Sequence, residues 1–474
     1  MNAQISRLFG VVVLLFAVLL LATSWSTVFG ADGLDKNPKN RRALIRDARV
    51  PRGLIRADDG TVLARNRRRG EPGNRFYTRL YPTGPLFSHV LGYSFIQFGQ
   101  AGIEKSRDDD LTGREDEFQS ILSQIESSRR EGFDLVTSLD PAAQKEALAS
   151  LAGRPGSIVA IEPRTGRVRV MASLPDFDPN QIAQRRGRLG RISGSVLNRA
   201  TQGRYPPGST FKVVTAAAAL DSGKFSPQSV LSGSSPKTIG GVPLSNFGGE
   251  QFGAISLTDA LTHSVNTVWG QVGERLGKRT LFRYMDRFGF DRKPELDYPS
   301  GQMATSGVFD RRRLLGAGDS VDVGRVAIGQ ERLAVSPLQM AEVAAAIGNH
   351  GKLMRPRLTE RIVRKDGRVK DHIQPAEQAR VMSSKAAGLL AQMMGRVVEE
   401  GTGTAGALSG IKVAGKTGTA EVANGQNQAW FIAFAPIDNP KMAIAVTVER
   451  TSGQGGTVAA PLAKRVLQVL LRKR

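Results

Sequence analysis

The segment Tyr205-Pro206-Pro207-Gly208-Ser209-Thr210-Phe211-Lys212-Val213-Val214-Thr215, continued by the alanine run Ala216 to Ala219, decides the fold class. Two prolines and a glycine make a turn, and no helix breaker follows, so a helix is expected whose first turn carries Ser209. Positions three apart share a helix face, which sets Lys212 one turn above the Ser209 hydroxyl, within hydrogen-bonding range. The same Ser-x-x-Lys spacing occurs at Ser234 to Lys237 and at Ser409 to Lys412. The first copy lies in a Gly/Ser/Pro loop. The second leads into an expected strand, Ile411-Lys412-Val413-Ala414, where residues three apart face opposite sides. Local context therefore selects Ser209.

Two later words complete a reactive set: Ser264-Val265-Asn266, and Lys416-Thr417-Gly418 followed by Thr419. A serine hydroxyl needs a base to attack a carbonyl near neutral pH. Lys212 can serve only as the neutral amine, a form that burial and a like charge on Lys416 favour. A helix start at Ser209 and a strand edge at Thr419 offer backbone N–H groups to a developing oxyanion. Ser264 has the chemistry to pass a proton to a leaving amine, and Asn266 can donate to a substrate carbonyl while accepting from Lys212. Lys416, Thr417 and Thr419 suit a carboxylate, and Gly418 is expected to let substrate backbone approach the strand. The substrate so described is a peptide with a free C-terminal carboxylate.

Carrying these words in this order, the chain resembles the class B penicillin-binding proteins, membrane-anchored D,D-transpeptidases of bacterial cell-wall synthesis. Tyr205 to Lys212, Lys416-Thr417-Gly418-Thr419-Ala420-Glu421 and Ala429-Trp430-Phe431 reproduce long strings of that family. Upstream, Arg52-Gly53-Leu54-Ile55, Asp59-Gly60, Tyr81-Pro82, His89-Val90 and Gly102-Ile103-Glu104 resemble its non-catalytic domain. The opening, Ala31-Asp32-Gly33-Leu34 and Pro38-Lys39-Asn40-Arg41, is similar to the shorter PbpA type. The resemblance implies Ser209 as the acylated nucleophile, Lys212 as base, and Ser264 with Asn266 as relay and orienting pair. It further implies Lys416, Thr417 and Thr419 as the carboxylate site, with Gly418 in the binding strand and the N–H groups of Ser209 and Thr419 as oxyanion hole. Class A β-lactamases commonly carry aspartate where Val265 stands, with a separate glutamate for deacylation. Transfer of the acyl group to an amine is thus expected over hydrolysis.

The implied fold is α+β: the penicillin-binding transpeptidase or serine β-lactamase-like fold, an antiparallel sheet sandwiched by helices, with an N-terminal transmembrane helix and a smaller mixed pedestal domain. Expected boundaries are 1–30 for the cytoplasmic tip and anchor, 31–135 for the pedestal and 136–474 for the transpeptidase region, which begins just before Asp140-Pro141. A helix is expected from Ala142 to Leu151, a hairpin around Arg164-Thr165-Gly166, strands at Trp430 to Phe434 and Ala443 to Val448, and a last helix from Ala459 to Leu471. No glycosyltransferase region is apparent. Two rivals share the same signature: a β-lactamase or D,D-carboxypeptidase in which water resolves the acyl-enzyme, and a penicillin-sensing or scaffold protein.

The 474 residues suffice for two or three domains, and their 40% hydrophobic content fits a globular protein with one apolar segment. That segment, uncharged from Leu8 to Ala31, is long enough to span a bilayer and lacks a clear small-x-small cleavage site, so an uncleaved signal-anchor is expected. Arg7 precedes it while Lys36, Lys39, Arg41, Arg42 and Arg46 follow, which counted alone leaves the large domain in the cytoplasm. Long domains translocate regardless of charge, and a cell-wall substrate requires the extracytoplasmic side. The expected partners are stem peptides and β-lactams, the cytoplasmic membrane, and divisome or elongation-complex proteins including a glycosyltransferase.

A net charge of +23, from 66 basic and 43 acidic residues, raises nucleic-acid binding. The runs Arg65-Asn66-Arg67-Arg68-Arg69 and Arg185-Arg186-Gly187-Arg188 lack interleaved aromatics, however, and no nucleic-acid-binding word accompanies them. Solvated loops facing anionic lipid or wall polymer are expected instead. Zero cysteines exclude disulfides and thiol catalysis, and His89, His263, His350 and His372 are too scattered for a zincin motif, so neither metal nor cofactor is expected. No G-x-S-x-G elbow surrounds Ser209 or Ser264, which sets aside a triad using His263. Gly401-Thr402-Gly403-Thr404-Ala405-Gly406 matches a dinucleotide pattern but follows a helical stretch rather than a strand, so a helix-ending loop is expected there.

Overall fold

The computed structural model describes residues 2–28, 42–71, 75–114, 131–182 and 195–472. The Ala31 to Leu34 and Pro38 to Arg41 strings, Lys36 and the Arg185 to Arg188 run lie outside them.

Helix α1, Asn2–Val28, contains an apolar stretch from Gln4 to Trp25 with mean hydropathy 2.6, none of it packed against protein. Its 22 residues extend about 33 Å, enough for a bilayer's hydrocarbon core. Among the described residues it is the one helix long and apolar enough to cross a membrane.

Beyond it, β1 (Ile55–Arg56), β2 (Val62–Arg69), β3 (Phe76–Leu80) and β4 (Asp134–Thr137) begin a mixed sheet. Helix α2 (Pro141–Leu151) follows, capped at Asp140, whose carboxylate accepts from the Ala143 N–H at 3.0 Å. Strands β5 (Gly156–Ile161) and β6 (Val168–Leu174) form the hairpin expected around Gly166. The helical core comprises α3 (Lys212–Asp221), α4 (Leu257–Thr262), α5 (Asn266–Leu276) and α6 (Pro337–Gly348). Then come β7 (Thr359–Val363), β8 (Val369–His372), α7 (Ser384–Glu399), β9 (Ala414–Val422), β10 (Gln426–Ala435), β11 (Met442–Thr451) and α8 (Ala460–Arg472).

A five-stranded antiparallel sheet, ordered β9-β10-β11-β5-β6, forms the centre. Its strands are buried on both faces, so they read as nearly continuous apolar runs rather than alternating ones. One face packs against α2 and α8; α6 and the helical core cover the other. The strand expected at Ile411 to Ala414 starts only at Ala414, because Ile411 bridges back to Leu408 in a tight turn.

The six-stranded sheet, ordered β8-β7-β4-β1-β2-β3, takes β7 and β8 from far downstream of the expected boundary at residue 135. The run Arg65 to Arg69, expected in a loop, lies on β2. Past Ala64 the β2–β3 ribbon projects beyond the core, so Arg65, Arg67, Arg68 and Arg69 are exposed on both faces although the backbone is paired. Arginine is tolerated in a strand when both faces meet water.

The motif residues Arg52, Tyr81 and Glu104 converge on one knot. Glu104, completely buried, is held by Arg52 at 3.1 Å, Arg79 at 2.7 Å and the Tyr81 hydroxyl at 3.3 Å. Gly53 is required beside it, since a Cβ there would lie 1.6 Å from the Phe133 carbonyl oxygen. Glu104→Ala leaves the buried Arg79 guanidinium without its carboxylate while Arg52 keeps Asp108 at 2.5 Å, and a loss of about 3–5 kcal/mol is expected in denaturant unfolding monitored in this region. An unchanged midpoint contradicts the structural role of the knot.

Candidate active site

Ser209 lies on a 3-10 turn, Gly208–Phe211, that runs directly into α3. Gly208 has a positive φ of 52°, and a Cβ there would meet the Thr419 carbonyl oxygen at 2.7 Å. The nucleophile turn thus presses on β9. The Ser209 hydroxyl is half-buried and has no protein hydrogen-bond partner among the described residues.

Lys212 reaches the second word rather than Ser209. Its Nζ lies 2.6 Å from the Ser264 carbonyl oxygen, 3.2 Å from Ser264 Oγ and 2.7 Å from Asn266 Oδ1. A neutral amine donates two of these bonds and turns its lone pair to a hydroxyl, the arrangement a proton acceptor needs. Burial, and then the charge of Lys416, hold Lys212 well below the ordinary lysine range. Lys416 is also fully buried, which pushes its amine down to about 7. The amine's recorded partner is the Thr417 carbonyl oxygen at 3.1 Å.

Asn266 opens α5, and its Nδ2 donates to the Ser245 carbonyl, fixing the amide so that Oδ1 faces Lys212. Ser264 joins α4 to α5 with a φ of 61°, the left-handed region. That conformation aims both its carbonyl and its hydroxyl at one amine, at a cost of order 1–3 kcal/mol for a non-glycine residue. Ser264→Gly should relieve the backbone while removing the hydroxyl. The expected result is an unchanged or slightly raised melting temperature with acylation slowed on the order of 10²-fold. Parallel losses of both, measured on one preparation, contradict a functional hydroxyl.

Strand alternation puts Lys416 on the Lys212 side of β9 and Thr417 and Thr419 on the other. Thr417 is nearly buried, its hydroxyl paired with that of Thr402 at 2.6 Å. Thr419 is more open; its Oγ1 accepts from the Gly455 N–H at 3.1 Å, leaving its own proton free to donate. Gly418 has a cause within the protein itself. A Cβ there would meet the Pro207 carbonyl oxygen at 2.7 Å and Thr210 Cγ2 at 2.8 Å, so the glycine admits the protein's own nucleophile turn.

Several contributing residues carry no recognisable word. Trp430, fully buried on β10, donates from Nε1 to the Pro206 carbonyl at 3.0 Å and packs edge-on against Tyr205. The Tyr205 hydroxyl donates to Glu449 at 2.5 Å, which Arg199 also holds at 2.7 Å. Gly329 fits under Gly208, where a Cβ would lie 1.9 Å from its carbonyl oxygen. These contacts link residues distant in sequence; Arg199, Gly329 and Glu449 stood in no quoted string, and Tyr205 and Trp430 stood in strings without a role. His263 stacks on Phe252, consistent with a structural position. The decoy Ser234 bonds Ser232, and Ser409 lies in the turn before β9.

A Ser-x-x-Lys turn, a Ser-x-Asn junction and a Lys-Thr-Gly edge strand meeting beside a helix-flanked antiparallel sheet define the penicillin-binding class of serine acyl-transfer proteins. Comparison with known proteins agrees. Residues 156–468 match the penicillin binding protein transpeptidase domain, and residues 52–134 the penicillin binding protein A dimerisation domain. The peptidoglycan D,D-transpeptidase PbpA of Mycolicibacterium smegmatis is 34% identical across the whole of both chains. The ceftriaxone acyl-enzyme complex of penicillin-binding protein A from Mycobacterium tuberculosis superposes with a TM-score of 0.79 at 31% identity, covering 90% of this chain and all of that one. Its penicillin G acyl-enzyme complex gives 0.78 at 31% identity, covering 89% of this chain and all of that one. The chain belongs to the penicillin-binding protein transpeptidase family, in which it is a class B, PbpA-type peptidoglycan D,D-transpeptidase.

Proposed function

We propose that this chain cross-links stem peptides through an acyl-enzyme on Ser209, and that β-lactams acylate the same oxygen. The observation that carries the assignment is the buried, depressed Lys212 amine gathered with Ser264 and Asn266 next to the nucleophile turn. Neutral Lys212 takes the Ser209 proton as Oγ attacks the carbonyl of the penultimate residue. The N–H groups of Ser209 and Thr419 receive the oxyanion. Ser264 relays the proton from Lys212 to the leaving amine, and the C–N bond breaks to release the terminal amino acid. An acceptor amine then attacks the ester, its proton returns through Ser264 and Lys212 to Ser209, and the new amide leaves.

Lys416, Thr417, Gly418 and Thr419 form the binding strand, where the Thr419 proton and the Lys416 charge favour the substrate carboxylate. Helix α1 anchors the chain in the cytoplasmic membrane with the catalytic region on the extracytoplasmic side. Residues 31–135 serve as pedestal below the 136–474 catalytic region, a position suited to glycosyltransferase and other divisome or elongation-complex partners. Intact-mass measurement with penicillin G, then with a peptide thioester donor in the presence and absence of an acceptor amine, tests this reading. A stable penicillin adduct and amine-dependent turnover are expected. Rapid water-driven release without amine overturns transfer in favour of hydrolysis.

A further inference from the structure

The cleft beside β9 contains a charge that the steps above leave unused. Its volume is about 700 Å³, between the Ser245 to Gly248 loop, the Gly329 to Ala334 segment and the outer part of β9 from Thr419 to Glu421. Strand β9 is the end strand of the central sheet. From Ala414 to Gly418 it is buried; it opens at Thr419, and Glu421 is exposed. A peptide whose terminal carboxylate rests at Lys416 to Thr419 therefore has one open direction in which to continue, towards Val422. Extended peptides add to exposed strand edges in this way, with alternate side chains deciding specificity.

Glu421 shares a strand face with Thr419 and lies about 6.6 Å further along, two residues at the strand rise. That sets it beside the donor residue that precedes the scissile pair. The cleft's other charges are already engaged: Arg332 pairs with Glu331 at 2.9 Å and lies 3.9 Å from Asp310. Glu421 has no ion-pair partner among the described residues. In a chain of net charge +23, an unpaired carboxylate in the substrate path goes against the overall charge bias.

We propose that Glu421 is a specificity-determining residue which pairs with an ammonium-bearing side chain of the donor peptide, on the residue just before the two C-terminal residues that flank the scissile bond. The proposal rests on the assignment of Ser209 and the β9 binding strand given above. The test uses three donors on the full-length protein: acetyl-Lys-D-Ala-D-Ala with a free ε-ammonium, the same peptide ε-acetylated, and acetyl-Glu-D-Ala-D-Ala. kcat/KM is measured for wild type, Glu421→Gln and Glu421→Lys. Wild type is expected to favour the free ammonium about 3- to 5-fold over the acetylated donor, the range of a solvent-exposed ion pair. Glu421→Gln should bring that ratio to near one, and Glu421→Lys should shift preference to the glutamate donor.

A wild type indifferent to the ammonium overturns the proposal, as does a Gln variant that keeps the wild-type ratio. A purely structural role lowers all donors together and leaves the ratio unchanged, which also overturns it. Penicillin G labelling of wild type separates the two levels. No label defeats the Ser209 assignment itself, whereas normal labelling with an unchanged donor ratio defeats Glu421 alone.

Discussion

Ser209→Ala is expected to remain at its unmodified mass after incubation with penicillin G, under conditions in which wild type gains one full adduct. The variant should bind labelled penicillin at background, at least about 10³-fold below wild type, because the covalent step has lost its only oxygen. Ser264 does not substitute for it: its hydroxyl is already held by Lys212 at 3.2 Å. Ser209 is half-buried, and its hydroxyl makes no recorded hydrogen bond, so alanine removes neither a packed group nor a hydrogen bond from the fold. The thermal midpoint should therefore stay within about a degree, the usual range for a substitution that disturbs no packing. Equal labelling of variant and wild type sinks the assignment of Ser209.

Lys212→Met is expected to lower the acylation rate by 10²–10⁴-fold, the typical contribution of a positioned general base. Methionine keeps an unbranched apolar stem in the buried site, so loss of the amine is separated from loss of packing. The pH profile distinguishes a base from a strut. Burial and Lys416 depress the Lys212 amine, so lowering pH through its folded-state value converts the base to an inert ammonium. Below that value, wild-type acylation should fall about tenfold per pH unit, while the residual rate of the methionine variant should be flat over the same range. Above it, Lys212 is neutral and this limb levels off. Burial brings Lys416 down to about 7, so raising pH past 7 removes a charge that favours carboxylate-bearing donors and should weaken their apparent affinity. A wild-type profile with no acid limb contradicts general-base action by Lys212.

Much of the site was legible because short local words carry geometry. A proline-glycine turn before Ser209 and an apolar run after Lys212 specify a helix entry, which the structure supplies as a 3-10 turn leading into α3. The last two strands and the final helix also followed from periodicity, since long apolar runs bounded by turns leave few choices. What stayed hidden depends on tertiary contact. The Lys212 amine turns from its helical neighbour Ser209 to Ser264 and Asn266, more than 50 residues away. The reason for Gly418 lies in Pro207, and the support of Pro206 in Trp430. No spacing rule reaches across such separations. The arginine run on β2 misled for the opposite reason: charge predicts solvent exposure, which it has, but exposure on both faces does not prevent pairing.

The six-stranded sheet has an implication for the order in which the molecule can be completed. Strand β4 is joined on one side by β1 and on the other by β7, and Ser138 Oγ reaches the Arg357 carbonyl, 219 residues later. Synthesis proceeds from the N-terminus, so β1 to β4 exist long before their outer neighbour does. Throughout that interval β4 presents an open edge of N–H and C=O groups, a template for pairing with another nascent chain. The central sheet waits in the same way, because β5 must await β11. The six-stranded sheet has all its strands once β8 ends at His372, before β9 to β11 of the central sheet are made. The six-stranded sheet is therefore a late assembly relative to its first four strands, and a chain halted before Thr359 leaves it with an adhesive edge at β4.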